Sequence, residues 1–333
     1  MEGSYGMNSL AIVILNWNGS EDTIECLKGL QDIKSYDIYL LDNGSHKNQQ
    51  EKIRNYIKSE QCPVKFKIVN LDDEYNGANA YYIISDSNMG FAGGNNYIVN
   101  KIYKLYSYVL LLNNDTEVPQ NTILSMLNTI KKKKCVALTC DIRYYYDKNK
   151  LWNAGGKFTW YGDRKYFSQK LVDNIEKKQI GYIEADFITG CALMVDTSYI
   201  AQYGLFTDRF FHGEEDFNFC INAKKRGKKL GVDLSVRLYH KVGQSIKIDQ
   251  SDERHFNVIT VHYANRVIDY KHLYTYRKWI LWRTMYLLLV FLKRVIDGMK
   301  IKNAYMLIKR VKKISNLYNG IDKTAFDMIM EGK

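Results

Sequence analysis

What this chain of 333 residues lacks narrows its class before any motif is read. Its six cysteines, Cys26, Cys62, Cys135, Cys140, Cys191 and Cys220, include no C-x-x-C pair and no dense framework. That excludes a disulfide-stapled scaffold and reads as reduced, mostly buried thiols of a cytoplasmic protein. The stretch Met1–Ser9 lacks a basic start followed by an apolar run, and Leu10–Leu15 is too short for a signal core, so secretion is not expected. In the C-terminal segment the longest uncharged run, Thr284–Leu292, is nine residues, too short to span a bilayer. Neither a dinucleotide fingerprint nor a Walker loop occurs. An aromatic–basic motif of an RNA- or DNA-binding fold is also missing, so no nucleic-acid partner is expected. The length suits one large α/β domain, or a domain plus an appendage, and the apolar content excludes global disorder.

The formal charge of +12 is local. Residues 271–313 hold twelve Lys or Arg against one acid, Asp297, leaving about +1 for the rest of the chain. The same segment carries Trp279, Ile280, Trp282, Leu287–Leu289, Phe291 and Leu292. Cations interleaved with bulky apolar residues suit a helix lying in an anionic membrane surface. A helix pair packed on the rest of the protein, with a cationic outer face, fits the same pattern.

The stretch Tyr108–Pro119 anchors the reading of the core. Its unbroken apolar run reads as a strand buried on both faces of a mostly parallel sheet, and it stops on Asn113, Asn114 and Asp115. Ligands of open α/β sheets sit beyond the carboxyl ends of the strands, where a carboxylate can hold a hard cation against a phosphate. An ordinary turn, with Asp115 or Thr116 capping a helix that has Pro119 in its first turn, accounts for the same residues. Leu10–Leu15 is a second such run, ending on Asn16-Trp17-Asn18-Gly19 before a helix that Ser20 is expected to cap. Ile38–Leu41 is a third, ending on Asp42-Asn43-Gly44-Ser45, where an acid suits a ribose hydroxyl or base N–H. Ser87–Asn96 is Gly-rich and precedes a helical pattern, so its backbone N–H groups are expected to face an anion.

Further along, Tyr144–Tyr166 is rich in aromatics, Gly and charge around Trp152, and reads as a hairpin or flap suited to a sugar. Asp186–Val195 reads as a strand broken at Thr189-Gly190, and Gly231–Tyr239 as a final strand pair ending in His240, followed by Lys241–Ser245. Glu214, Glu215 and Asp216 open a helix. Acids there oppose the helix dipole, but three adjacent carboxylates also repel, so at least one is expected to hold its proton unusually tightly and to suit proton transfer.

Four stretches carry a resemblance: Val13–Gly19; Leu41–Ser45; Asn88–Asn96 with Leu110–Pro119; and Phe210–Cys220 with His240. Together they resemble family 2 inverting glycosyltransferases of the GT-A fold, in particular bacterial rhamnosyltransferase-type members, over roughly residues 9–270. The resemblance implies a GT-A α/β domain over residues 1–265 and a basic amphipathic helical extension over 266–333. It places Asn16, Asp42, Asn88, Gly90, Asn95 and Asn114 at the nucleotide, and Asp115 and His240 at a Mg or Mn divalent cation. Asp216 becomes the catalytic base with Glu215 beside it, and Trp152, Asp186 and Thr189 line the acceptor. Asn113 stands where many relatives have the first Asp of an Asp-x-Asp motif, and an amide oxygen is the weaker cation ligand. The implied activity moves a sugar, with rhamnose the suggested one, from a dTDP- or UDP-sugar donor to a glycan or lipid-linked acceptor, at the inner face of the cell membrane. Rivals are a transferase using another UDP-hexose or UDP-GlcNAc, a nucleotidyltransferase, and a catalytically silent membrane-associated subunit of the same fold.

Overall fold

The computed structural model describes residues 8–30, 34–75, 79–242 and 252–332. Its strands are β1 (Asn8–Asn16), β2 (Asp37–Asn43), β3 (Lys67–Asn70), β4 (Ala80–Ser85), β5 (Tyr106–Asn113), β6 (Thr116–Glu117) and β7 (Ala137–Tyr144). They continue with β8 (Leu151–Asn153), β9 (Gly156–Phe158), β10 (Arg164–Tyr166), β11 (Tyr182–Ala185), β12 (Ala192–Asp196) and β13 (Leu230–His240). The helices are α1 (Ser20–Gly29), α2 (Lys47–Lys58), α3 (Gly90–Ile102), α4 (Thr122–Lys133), α5 (Gln169–Lys177) and α6 (Thr197–Tyr203). After α7 (Glu215–Lys225) come α8 (Asp252–Leu273), α9 (Tyr276–Ile296), α10 (Ile301–Leu317) and α11 (Lys323–Met330).

One mixed sheet runs β11-β13-β7-β12-β5-β1-β2-β4-β3, with β6 on β13 and β8 on β7. From β5 to β3 every pairing is parallel, whereas β12 lies antiparallel between β5 and β7. Strand side chains alternate between faces, and both faces of this sheet are covered, so both sets must be apolar. Leu10, Ile12 and Ile14 pack with Leu40, Leu110 and the helices α1, α2 and α4. Ala11 and Val13 pack with Leu41, Leu111 and α3 on the other side. The chain steps outward from β1 to β2, β4 and β3 and then returns to β5, so the order reverses between β1 and β5. A crevice is expected at that reversal, beyond the carboxyl ends.

Several expectations change. Gly19, not Ser20, is the N-cap of α1, and the Ser20 hydroxyl bonds Gln49 Oε1 at 2.7 Å instead. Neither Asp115 nor Thr116 caps a helix: Thr116 enters β6, and α4 starts at Thr122 behind Asn121 in left-handed backbone. The expected strand pair before His240 is the single strand β13, kept on β7 by an irregularity between Asp233 and Arg237. Only Ala192–Asp196 of the stretch from Asp186 is strand. All six cysteines are free, five of them buried. Of the loop after His240, residues 243–245 lie outside the described ones.

The four C-terminal helices pack on the sheet domain through polar as well as apolar contacts. From α8, Asn265 Nδ2 donates to the carbonyls of His212 and Gly213 at 2.9 and 2.8 Å, and Arg266 pairs with Asp163 at 2.5 Å. Residue 265, where the sequence reading divides the chain, lies inside α8. Trp279 and Trp282 point inward, their indole N–H groups bonded to the carbonyls of Val267 and Tyr161. Besides Tyr276 at its start, α9 exposes the aliphatic side chains Leu281, Leu288, Leu292 and Ile296, spaced 7, 4 and 4 residues apart. No helix among the described residues is long and apolar enough to cross a membrane.

Candidate active site

At the ends of β1 and β2 the polar residues tie to each other. Registration sets Asn16 opposite Asp42, and Leu15 opposite Asn113. Asn16 Nδ2 donates to Asp42 Oδ2 at 2.7 Å and to Ser45 Oγ at 3.1 Å. Its Oδ1 accepts from Thr23 at 2.9 Å and from Asn114 Nδ2 at 3.3 Å. Asp42 Oδ1 takes the Ser45 N–H and the Gln50 amide. Asn16, Asp42 and Asn114 thus come together as expected, but as a buried knot whose hydrogen-bonding groups face inward. Trp17, 42% exposed, and Asn18 are the neighbours left at the surface.

The Gly-rich stretch serves a purpose different from the expected one. It forms the first turns of α3 rather than a loop, and the N–H groups at its start are engaged by protein acceptors. Met89 N–H donates to Asn43 Oδ1, Gly90 N–H to Asn88 Oδ1 and Phe91 N–H to the Phe211 carbonyl. These three cannot also face an anion. Gly90 has φ +76°, and a Cβ there would stand 2.4 Å from the Phe211 oxygen. Glycine is therefore required because α3 touches the backbone just before the acid triplet. Asn95 is spent within the helix, donating to the Phe91 carbonyl at 2.9 Å.

Asp115 and His240 do meet. The β6–β13 pairing aligns Thr116 with His240, which brings the ring beside Asp115, with Nε2 3.0 Å from Oδ1. Lys241 N–H holds the Asp115 carbonyl at 3.0 Å, and Trp152 stands edge-on to the imidazole at 4.3 Å between centroids. His240 Nδ1 is buried without a hydrogen-bond partner. A histidine that gives one ring N–H to a carboxylate keeps a lone pair on the other nitrogen, an arrangement common among metal ligands. No cluster of three or more His, Cys, Asp or Glu able to hold a metal ion occurs among the described residues. A divalent cation shared by the pair would take the place of the proton between Nε2 and Oδ1, and its other ligands would have to come from outside the described residues.

The acids open α7. Glu214 has φ +94°, left-handed backbone that costs a bulky residue about 1–3 kcal/mol. Its carboxylate is buried and held by Arg164 of the β9–β10 hairpin at 2.5 Å. Asp216 is half-buried; its Oδ2 accepts the Gly190 N–H at 3.1 Å and its Oδ1 the Phe217 N–H at 2.8 Å. Burial, and then Asp216 alongside, push the Glu215 carboxyl up to about 8. Burial also raises Asp216, to about 6, against the pull of the Arg164 guanidinium. Neighbouring carboxyls with separated proton affinities can divide donor and acceptor roles between them.

The turn Thr189–Cys191 joins the two halves. Asp216 binds the Gly190 N–H, the Cys191 carbonyl accepts the Asn113 N–H at 2.8 Å, and Asp115 lies close enough to raise the proton affinity of the buried Cys191 thiol. Thr189 thus sits beside the acids. Asp186 does not: it is tied to Lys224 at 2.6 Å and to the Phe158 N–H, and Lys224 lies about 12 Å of helix beyond Asp216. Sequence reasoning missed Arg164 and Asn43. A lone Arg in a charged aromatic hairpin carries no signal of its destination, whereas Asn43 had one in its place at a strand end.

The chain matches the family model for glycosyl transferase family 2 over residues 11–204. No curated protein sequence matches it. Among solved structures, GalNAc-T7 crystallised with UDP, GalNAc and Mn2+ superposes at TM-score 0.58 with 15% identity, over 98% of this chain and 56% of that one. The chain therefore spans little more than half of that protein. The 1–349 fragment of S. aureus TarS is 12% identical at TM-score 0.48, over 98% of this chain and 92% of that one. With the family model covering more than half of its length, and a GT-A α/β sheet carrying C-terminal helices as its fold, this chain belongs to glycosyl transferase family 2.

Proposed function

We propose that the enzyme moves a sugar, with inversion, from a nucleoside-diphosphate donor to a hydroxyl of a glycan or lipid-linked acceptor. The observation that carries this reading is the turn Thr189–Cys191 between the two acids: its Gly190 N–H donates to Asp216, and its Cys191 carbonyl accepts the N–H of Asn113, two residues before Asp115. Asp216 takes the acceptor proton as the new bond forms from the acceptor oxygen to the anomeric carbon and the bond to the diphosphate breaks. Glu215, which holds its proton at neutral pH, cannot serve as that base and is left to donate a hydrogen bond. Asp115 and His240 would hold a divalent cation, which offsets charge on the departing diphosphate. Asn16, Asp42 and Asn114 shape the nucleoside edge from beneath, with Asn88 and Gly90 fixing α3 behind it. Thr189 and Trp152 stand where an acceptor would approach. For the donor, dTDP-rhamnose is the specific candidate and UDP-sugars the alternative; the similar GalNAc-T7 structure carries UDP, GalNAc and Mn2+. The basic face of α9 and α10 supports action at an anionic membrane surface.

Asp216→Asn should lower kcat by about 10²–10⁴-fold while the protein still folds and binds nucleoside diphosphate. Turnover near the wild-type rate removes Asp216 from the role. Thermal shifts with dTDP, UDP and GDP, with and without Mn2+, should single out one nucleotide and grow with the cation. A response to no nucleotide contradicts the transfer reading.

A further inference from the structure

The helices α9 and α10 lie side by side as an antiparallel hairpin and enclose a groove of about 300 Å³. That is the lower end of the range for small-molecule sites. Leu287, Leu288, Phe291, Tyr305 and Ile308 form its walls, while Arg283, Thr284 and Lys312 close one end. Arg283 is the telling residue. It is 4% exposed, and its guanidinium lies on the Trp279 ring and donates only to neutral oxygens, Ser315 Oγ at 3.1 Å and Asn316 Oδ1 at 2.6 Å. Among the described residues no carboxylate makes an ion pair with Arg283 or Lys312. Burial holds Arg283 below its ordinary proton affinity, and Lys271 is depressed by burial and by Arg283. A buried cation without a counter-ion is costly and calls for an anion.

Towards its opposite end the groove is apolar, lined by Phe291 and Ile308, with Leu288 and Tyr305 exposed at its rim. Read along the groove, the site offers cations first and hydrocarbon afterwards. We propose that the α9–α10 groove binds one acyl chain of an anionic phospholipid, with the lipid phosphate drawn to Arg283 and Lys312. The proposal deepens the membrane-surface reading and rests on it for the lipid's source. The groove would hold the enzyme at a set depth and orientation, beyond what diffuse charge attraction provides.

Native mass spectrometry of the full chain released from phosphatidylglycerol or phosphatidylcholine micelles tests this. Expected are one retained phosphatidylglycerol and little phosphatidylcholine, with the preference falling about fivefold in Arg283→Gln. Thr284→Trp, a change at the exposed cationic end, should block the groove and abolish retention. Equal retention of both lipids, retention by Thr284→Trp, or thermal stabilisation by inorganic phosphate equal to that by the lipid would each overturn the proposal. Co-sedimentation with phosphatidylglycerol vesicles separates it from the broader reading. If Thr284→Trp retains no lipid but still sediments, the groove proposal is supported and surface attraction acts independently. If wild-type protein retains lipid but does not sediment, the membrane-surface reading fails and the groove stands.

Discussion

Asn16 and Asp42, at the ends of β1 and β2, are fully buried and bonded throughout to neighbours within the protein. Glu214, Glu215 and Asp216 open α7 in mutual repulsion, Glu214 in left-handed backbone, and Glu215 Oε2 is buried with no hydrogen-bond partner. Both clusters are polar. In the first, each donor meets an acceptor and the result is shape. In the second, like charges are forced together, proton affinities separate, and the result is a group ready to take a proton. The contrast leaves the first cluster rigid and, under the proposed function, the second one chemical.

The sharpest way to break that contrast is to remove the cation that steadies the acids. Arg164→Gln should cut kcat by about 10²-fold. Its kcat/KM profile should show the acid limb moved above its wild-type position near 6, because losing a nearby positive charge raises the proton affinity of Asp216. Activity requires the ionised carboxylate, so it falls as pH drops through that limb in both proteins. Arg164→Lys keeps the charge and should hold the limb near the wild-type position, even where stability suffers. An unmoved limb in Arg164→Gln would assign the hairpin a purely structural role.

A smaller effect of a different kind is expected on the other side. Asn16→Ala leaves the Thr23 hydroxyl, the Asn114 amide and Asp42 short of partners. Stability by chemical denaturation should fall by about 1–3 kcal/mol, with kcat changed only severalfold. A large loss of kcat at unchanged stability would mean that the knot contacts the donor directly.

The uninterrupted apolar runs at β1, β2 and β5 were legible because a doubly covered strand needs hydrocarbon on both faces. The polar residues that end them were legible as strand ends for the same reason: they mark where the core stops. The Gly-rich stretch misled, because glycine permits close approach without saying to what. At Gly90 the neighbour is the Phe211 carbonyl, and the helix-start N–H groups are taken by Asn43, Asn88 and Phe211. The inward-facing Trp279 and Trp282 were equally hidden, since an aromatic stripe fits a membrane face and a helix-packing face alike.

By itself, the order of residues determined which segments are buried strands, that their ends are polar, and that positive charge collects near the C-terminus. These follow from local composition and periodicity, which need no distant partner. Only the tertiary structure decided that Asp115 faces His240 across 125 residues of chain, that Arg164 clamps Glu214, and that Arg283 meets neutral oxygens and no carboxylate among the described residues. Each depends on the register of strands or the docking of helices, and a side chain's charge does not reveal which opposite charge the fold will bring to it.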